Sequence, residues 1–338
     1  MKKVPIHTFE HTISLGNLLE AWQEFLHGKR NKPDVQEFQS MLMDNLISLQ
    51  EDLRNRTYHH GPYQHFKIAD PKPRDIHKAS VRDRLLHHAL HRVLYPYFEA
   101  MFMYSLYSSR VEKGTHKALN RFRLLAHRAS RAHSRTIWAL KCDIRKFFAS
   151  IDHQVLFSIL ERHIADQDIL WLLREVVGSF STQKDILTFL RKSECPKGLP
   201  LGNLTSQLLV NIYMNEFDQY VKHKLKVKYY VRYADDFVIL SHDKTEPEER
   251  LRYIVVFLDN RLKLKLHSDK VSIKTFASGV DFLGWVHFPD HRVLRTATKK
   301  RMFRKLQQRQ GQKGEEATKQ SYLGMLKHGN THGLRRKI

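Results

Sequence analysis

The sequence predicts an α+β fold, and three observations carry that prediction. Amphipathic helical stripes bracket the chain at both ends, strand-like runs alternate with helices between them, and no alternation takes a dinucleotide-binding form. The best-defined pair of strands lies in residues 229–240, two apolar runs around Ala234-Asp235-Asp236 that read as a hairpin. With 338 residues, the chain can form two or three domains or one elaborated fold with a sizeable core.

The first 56 residues read as two amphipathic helices. Leu15, Leu18, Leu19, Trp22, Phe25 and Leu26 share one face behind Ser14 as a cap. Gly28 to Pro33 interrupts the pattern, and Asp34 with Glu37 opens a second helix as a capping box ahead of Phe38, Met41, Leu42, Leu46, Leu49 and Leu53. A strand over residues 63–68 leads into Asp70-Pro71-Lys72-Pro73-Arg74, whose prolines hold a turn open and keep Lys72 and Arg74 on an extended edge. A helix is expected from about Val81 to His91. Residues 137–143 form an apolar strand ending in Asp143, and beyond Leu294 the chain is helical and basic.

Lys and Arg number 58 against 35 Asp and Glu, a formal charge of +23 with the 22 histidines neutral. Spread along the whole chain, this charge suggests a folded surface that meets nucleic acid, where neutralising phosphates releases counterions. A high isoelectric point serving solubility alone is the plainer alternative. No apolar run approaches the roughly 18–20 residues that cross a bilayer, and Met1-Lys2-Lys3-Val4-Pro5 has no apolar segment behind it. Two cysteines, Cys142 and Cys195, exclude a four-cysteine zinc site or a disulfide framework, and a cytoplasmic protein without membrane contact is expected.

Chemistry concentrates in three carboxylates. Adjacent residues of a regular strand point to opposite faces, but a tight turn at Ala234–Asp236 can present Asp235 and Asp236 at one edge. Neighbouring carboxylates are costly without a cation, and Mg²⁺ prefers carboxylate oxygen while retaining exchangeable waters. Asp143, on a neighbouring strand end, would complete a two-metal site. Taken singly, each aspartate also fits an ordinary turn or helix cap. His87 and His91 have a zinc-compatible spacing but no third ligand at motif spacing, so packing or RNA contact is the default for them.

Asp143, then Leu199-Pro200-Leu201-Gly202-Asn203-Leu204-Thr205-Ser206-Gln207, then Tyr233-Ala234-Asp235-Asp236 together resemble reverse transcriptases. The segments Arg82–Leu90 with Pro96–Glu99, Ser108-Ser109-Arg110 with Lys113–Ala118, Phe282-Leu283-Gly284-Trp285, and Tyr322-Leu323-Gly324 with His328-Gly329-Asn330 are similar to further blocks of bacterial members, so the likeness spans about residues 60 to 338. It implies a right-hand polymerase of fingers, palm and thumb, with an antiparallel palm sheet and a helical thumb. The expected boundaries are 1–138 for N-terminal helices and fingers, 139–289 for the palm with a fingers insertion at about 153–199, and 290–338 for the thumb. An apolar residue before Gly202 and Ser206-Gln207 at the end of the middle block resemble the diversity-generating retroelement branch. Retron, group II-like and phage-defence enzymes are the alternatives, and a non-catalytic RNA-binding scaffold is a more distant one.

The resemblance implies an RNA-directed DNA polymerase that copies a template-repeat RNA into cDNA, with errors at adenines. Its implied partners are that RNA, the RNA/cDNA duplex, dNTPs and a basic accessory variability protein. Position by position, Asp143, Asp235 and Asp236 match the metal triad for two Mg²⁺ ions, with the Ile144 carbonyl completing a shell. Phe148 matches the aromatic gate against a 2′-hydroxyl, although Phe147-Phe148 is also plausible core. Lys72 and Arg74 match triphosphate-clamping fingers residues, Arg110 is a further candidate, and Leu201, Gly202 and Gln207 line the nucleotide pocket. Lys299, Lys300, Arg301, Arg304 and Lys305 would hold template–primer phosphates.

Overall fold

The computed structural model describes residues 8–69, 73–181 and 196–338. They form two compact units, each assembled from separate stretches of chain. The first takes the described residues within Met1–Met103, Lys146–Phe217 and Leu258–Leu264; the second takes Tyr104–Arg145, Asp218–Phe257 and Lys265–Ile338. In chain order the elements begin with α1 (Phe9–Ile13), α2 (Leu15–Phe25), α3 (Pro33–Ser40), α4 (Leu42–Arg54), β1 (Gln64–Ile68), β2 (Arg74–Lys78), α5 (Val81–Glu99) and α6 (Thr115–Ala129). Next come β3 (Trp138–Asp143), α7 (His153–Leu160), α8 (Gln167–Gly178), α9 (Leu204–Gln219), β4 (Tyr229–Tyr233), β5 (Asp236–Ser241) and α10 (Glu246–Leu262). Strands β6 (Ser272–Thr275), β7 (Val280–Phe282), β8 (Trp285–His287) and β9 (Arg292–Leu294) precede α11 (Thr296–Arg309), α12 (Glu315–Leu326) and α13 (His332–Arg335).

In the first unit the expected apolar stripe of α2 is buried against α5, with Trp22 and Phe25 almost fully covered. Ser14 caps α2 as the sequence suggests, its hydroxyl accepting from the Asn17 amide at 3.2 Å. The stretch expected as a second helix departs from expectation. It starts at Pro33 rather than Asp34, has no side-chain cap, and breaks at Met41 into α3 and α4. Asp34 is drawn away from capping by two cations, Lys78 and Arg84, whose nitrogens each lie 2.6 Å from its carboxylate.

Strand β1 pairs antiparallel with β2, and Arg74 stands opposite Ile68. Asp70, Pro71 and Lys72 lie outside the described residues, as does Cys195. Helix α5 also outruns its expected end at His91, passing through Pro96 to Glu99. Burial of Val93, Leu94 and Phe98 outweighs the backbone hydrogen bond that Pro96 forfeits.

The second unit holds two antiparallel sheets, one ordered β4-β5-β3-β6 and the other β7-β8-β9. One apolar core joins Leu119, Phe122 and Leu125 of α6 to Ala139, Val231, Val238 and Leu240 of the larger sheet, and to Phe282 and Trp285 of the smaller. The Leu283-Gly284 turn between β7 and β8 has positive φ at both residues, 51° and 85°, the geometry that twists a two-residue hairpin correctly. Tyr322-Leu323-Gly324 lies in α12, and His328-Gly329-Asn330 forms the turn before α13.

Candidate active site

Register brings the three carboxylates to one end of the larger sheet. Asp143 at the end of β3 pairs directly with Asp236 at the start of β5. Tyr233 of β4 also pairs with Asp236, which leaves Ala234-Asp235 as a two-residue turn. The Ile144 amide donates to the Asp235 carbonyl at 3.2 Å, tying the turn to the chain that leaves β3. Ala234 adopts φ 54°, a left-handed conformation unusual for alanine.

That strained turn is bolted from several sides. Arg232 is fully buried and meets the Asp218 carboxylate through Nε at 2.8 Å and Nη2 at 2.5 Å. Its Nη1 donates to the Ala234 carbonyl at 2.9 Å, and the Ala234 amide donates to the Ser108 hydroxyl at 2.9 Å. Tyr230 donates its hydroxyl to Asp218 at 2.6 Å. Sequence reasoning did not single out Arg232, Asp218 or Ser108, although an arginine inside an apolar strand was a visible signal of a buried partner.

Two lysines supply positive charge to the carboxylates. Lys270 Nζ lies 2.7 Å from Asp143 Oδ1, and Lys141 Nζ lies 3.3 Å from Asp236 Oδ1. The second contact lacks hydrogen-bond geometry, so Asp236 Oδ1 is a buried oxygen without a hydrogen bond. Burial pushes the Asp236 carboxyl up to about 7; Lys141 opposes that shift, while Asp235 and Asp143 add to it. Lys141 shares a sheet face with Asp143 because the two are two residues apart on β3. Lys270 arrives by a tertiary route, on a short turn whose His267 amide donates to the Asp143 carbonyl at 2.8 Å. Burial pushes the intervening Cys142 thiol up to about 12, so it stays protonated.

Among the described residues, no three His, Cys, Asp or Glu side chains are gathered as a ready metal cluster. The donor chemistry nevertheless suits a hard divalent cation: carboxylates meet at one edge, and one buried oxygen has no hydrogen bond.

The other expected residues fall in different places. In the first unit Gly202 has φ 115°, and its neighbour Leu201 accepts a hydrogen bond from the His77 amide of β2 at 3.3 Å. A side chain at Gly202 would meet the Ile76 methyl only at an ordinary contact distance of 3.4 Å, so it is the positive φ rather than lack of space that calls for glycine. Gln207 is half-buried in the first turns of α9. Phe147 is the core member of its aromatic pair, whereas Phe148 is half-buried and its carbonyl accepts from the Leu199 amide at 2.8 Å. Arg74 is exposed at the start of β2, and Lys72 lies outside the described residues.

In the second unit Arg110 donates to the Leu106 carbonyl at 3.2 Å. On α11, Lys299, Lys300 and Arg304 are exposed, while Arg301 and Lys305 are half-buried. His87 Nε2 lies 3.3 Å from His60 Nε2 with the two rings stacked, and burial holds the His87 pKa down at about 3.

A carboxylate-bearing antiparallel sheet flanked by helices is the architecture of a right-hand polymerase, and solved structures agree. Telomerase from Candida albicans, in complex with the TWJ fragment of telomeric RNA, aligns with TM-score 0.50 and 12% identity over 75% of this chain and 51% of its own. Apo telomerase from Candida tropicalis aligns with TM-score 0.50 and 10% identity over 68% of this chain. The chain belongs to the reverse transcriptase (RNA-dependent DNA polymerase) family, whose model matches residues 68–287. It is 27% identical to protein YkfC of Escherichia coli over 76% of this chain and 73% of that protein. The group II intron-encoded protein LtrA of Lactococcus lactis is 23% identical over 74% of this chain. The chain spans about half the length of LtrA, at 50%, and of the Candida albicans telomerase, at 51%.

Proposed function

We propose that this chain copies RNA into DNA, with Asp143, Asp235 and Asp236 as the carboxylates of its polymerase centre. The observation that carries this reading is the register, which pairs Asp143 with Asp236 and places Asp235 in the intervening turn. Two Mg²⁺ ions held by these carboxylates, with the Ile144 carbonyl as a further donor, would lower the pKa of a primer 3′-hydroxyl and neutralise the triphosphate and the pyrophosphate that leaves it. Lys141 and Lys270 hold the carboxylates against mutual repulsion, and Arg232 fixes the turn that carries Asp235. Phe148 would exclude a 2′-hydroxyl, while Arg74, Lys72 and Arg110 would contact the triphosphate. Leu201, Gly202 and Gln207 would line the nucleotide pocket, and the α11 cations would hold template–primer phosphates. The fingers, palm and thumb boundaries read from the sequence belong to the same proposal.

The narrower reading is a diversity-generating enzyme that copies a template-repeat RNA with errors at adenines, assisted by a basic accessory variability protein. Its support is Leu201 before Gly202 and Ser206-Gln207 at the end of the block. Leu201 offers no hydrogen bond to the nascent pair, and a polar group bonding only in the correct geometry adds roughly 1–1.5 kcal/mol of discrimination. A group II-like enzyme is the second reading, favoured by the similarity to LtrA. A template-repeat and variable-repeat pair beside the gene separates the two; sequencing cDNA made by wild type and Leu201→Gln on one RNA tests the residue, the adenine error fraction falling in the variant, and an unchanged fraction removes Leu201 from the account. In the same assay Asp235→Ala and Asp143→Ala lose at least about 10³-fold in synthesis while retaining RNA binding; near-normal synthesis overturns the site.

A further inference from the structure

We propose that the outer face of α6 and the loop that follows it form an RNA-docking surface in addition to the α11 cations. The inference rests on the reading of this chain as an RNA-copying enzyme and extends it to a second contact. Between Glu112 and Asp143 the sequence contains no acidic residue. Helix α6 buries Leu119, Phe122 and Leu125 in the core of the second unit and leaves Lys117, Arg123, His127 and Arg128 exposed. Among the described residues no carboxylate forms an ion pair with Lys117, Arg123, Arg128 or Arg131.

Helix stability does not explain the pattern. A cation in the last turn, such as Arg128, is favoured by the helix dipole, but Lys117 in the first turn is opposed by it and Arg123 gains nothing. The loop beyond α6 is also unusual. Arg131, Ala132 and His133 have consecutive φ values of 50°, 57° and 66°, a left-handed run that L side chains rarely adopt. Ser130 holds it, accepting from the His133 amide at 2.9 Å, and Arg131 is left exposed at the helix end. A cavity of about 290 Å³ opens beside it, lined by Asn120, Arg123, Leu124, His127, His133, Phe276 and Pro289.

The chemistry of this face selects a phosphate backbone over a protein. Leu124 is its one large exposed apolar side chain among the described residues, at 39%, whereas a protein interface needs buried aromatic or aliphatic anchors. Lys117 and Arg128 stand roughly 16 Å apart along the helix at 1.5 Å per residue, so together they can meet phosphates a few nucleotides apart on one strand. Polar Asn120, Arg123 and His127 beside apolar Leu124 and Pro289 give the cavity a mixed lining that can both stack on and hydrogen-bond an unpaired base.

The test uses the full chain and a blunt, 3′-blocked RNA hairpin, with affinity measured across a salt series. Arg123→Gln, Arg128→Gln and Arg131→Gln are combined in one variant. Arg252→Gln, Arg261→Gln and Lys263→Gln, exposed on and just beyond α10, form a control with the same change in charge. The α6 variant flattens the dependence of log affinity on log salt by roughly two to three units, and the control keeps the wild-type slope. An α6 variant with the wild-type slope overturns the proposal. So does equal flattening in both variants, which would report net charge alone. A wild-type chain that binds no RNA and extends no primer overturns the functional reading as well, whereas wild-type extension with an unmoved α6 slope removes this surface only.

Discussion

Asp218→Asn is the perturbation that isolates the bolt beneath the turn. Arg232 is fully buried, so removing the charge of its partner leaves a guanidinium in the interior with no counterion. Breaking a buried pair from one side costs about 3–5 kcal/mol, against a total stability of roughly 5–15 kcal/mol for a typical domain. Thermal unfolding should therefore fall by of order 10 °C. Tyr230 keeps an acceptor, because asparagine retains one oxygen, so the loss reports the charge rather than the phenol.

The double variant Asp218→Leu with Arg232→Met then separates folding from positioning. Replacing both members of a buried ion pair with apolar groups is often close to neutral, so stability should return apart from about 1–3 kcal/mol for the Tyr230 hydroxyl that loses its Asp218 acceptor. Activity should not return, since no donor then reaches the Ala234 carbonyl and the turn that presents Asp235 is free to relax. The assay is Mg²⁺-dependent dNTP incorporation, reading kcat and the Mg²⁺ dependence separately from primer–template affinity. An unchanged melting temperature in Asp218→Asn, or full activity in the double variant, refutes the reasoning.

Two further outcomes are expected from exposed or half-buried positions. Phe148→Ala raises ribonucleotide use relative to deoxyribonucleotide use by a factor worth a few kcal/mol at most, and negligible rNTP use with intact dNTP activity would make Phe148 a packing residue. Replacing Lys299, Lys300 and Arg304 with Gln flattens the salt dependence of primer–template binding by roughly two to three units, and an unmoved slope would mean that this face of α11 is merely solvated.

The sheet edge was legible because its signals are local. Two apolar runs around a turn-forming Ala-Asp pair can hardly be anything but a hairpin, and the structure closes it with two residues. The strand ending in Asp143 was equally plain. Asp34 misled because a capping box is judged from four adjacent residues, while Lys78 and Arg84 compete from far along the chain. The end of α5, expected near His91, was set too early: the helix runs on through Pro96, where the burial of Phe98 two residues later outweighs the hydrogen bond that the proline forfeits. Lys270 carries no sequence mark, since its place beside Asp143 is made by the path of the chain into β6. Contacts that define the site by charge were thus hidden, whereas those that define it by backbone shape were not.

The carboxylate edge also has a pH signature of its own. Asp236 is held at about 7 in the folded chain, whereas an unfolded aspartate titrates near roughly 3.9. Between those values the folded state keeps a proton that the unfolded state has released, so this group's contribution to stability falls as pH rises through the window and levels off above about 7. The full difference is of order 4 kcal/mol, at about 1.4 kcal/mol per pH unit. Buried histidines work in the opposite sense. Burial depresses His87 and His287 to about 3 and His88 and His91 to about 4, so each loses stability as pH falls below its unfolded value near roughly 6.5. The raw stability curve therefore rises from acid toward neutrality and masks the aspartate. Subtracting the melting curve of wild type from that of Asp236→Asn removes the histidines, and the difference should grow in the variant's favour from about pH 4 to about pH 7. Mg²⁺ added above pH 7 should then raise the wild-type melting temperature more than the variant's, because an ion that binds the ionised carboxylate stabilises only the protein that has it. Parallel curves, with equal responses to Mg²⁺, would show that Asp236 is ionised like any surface aspartate and takes no part in holding the ion.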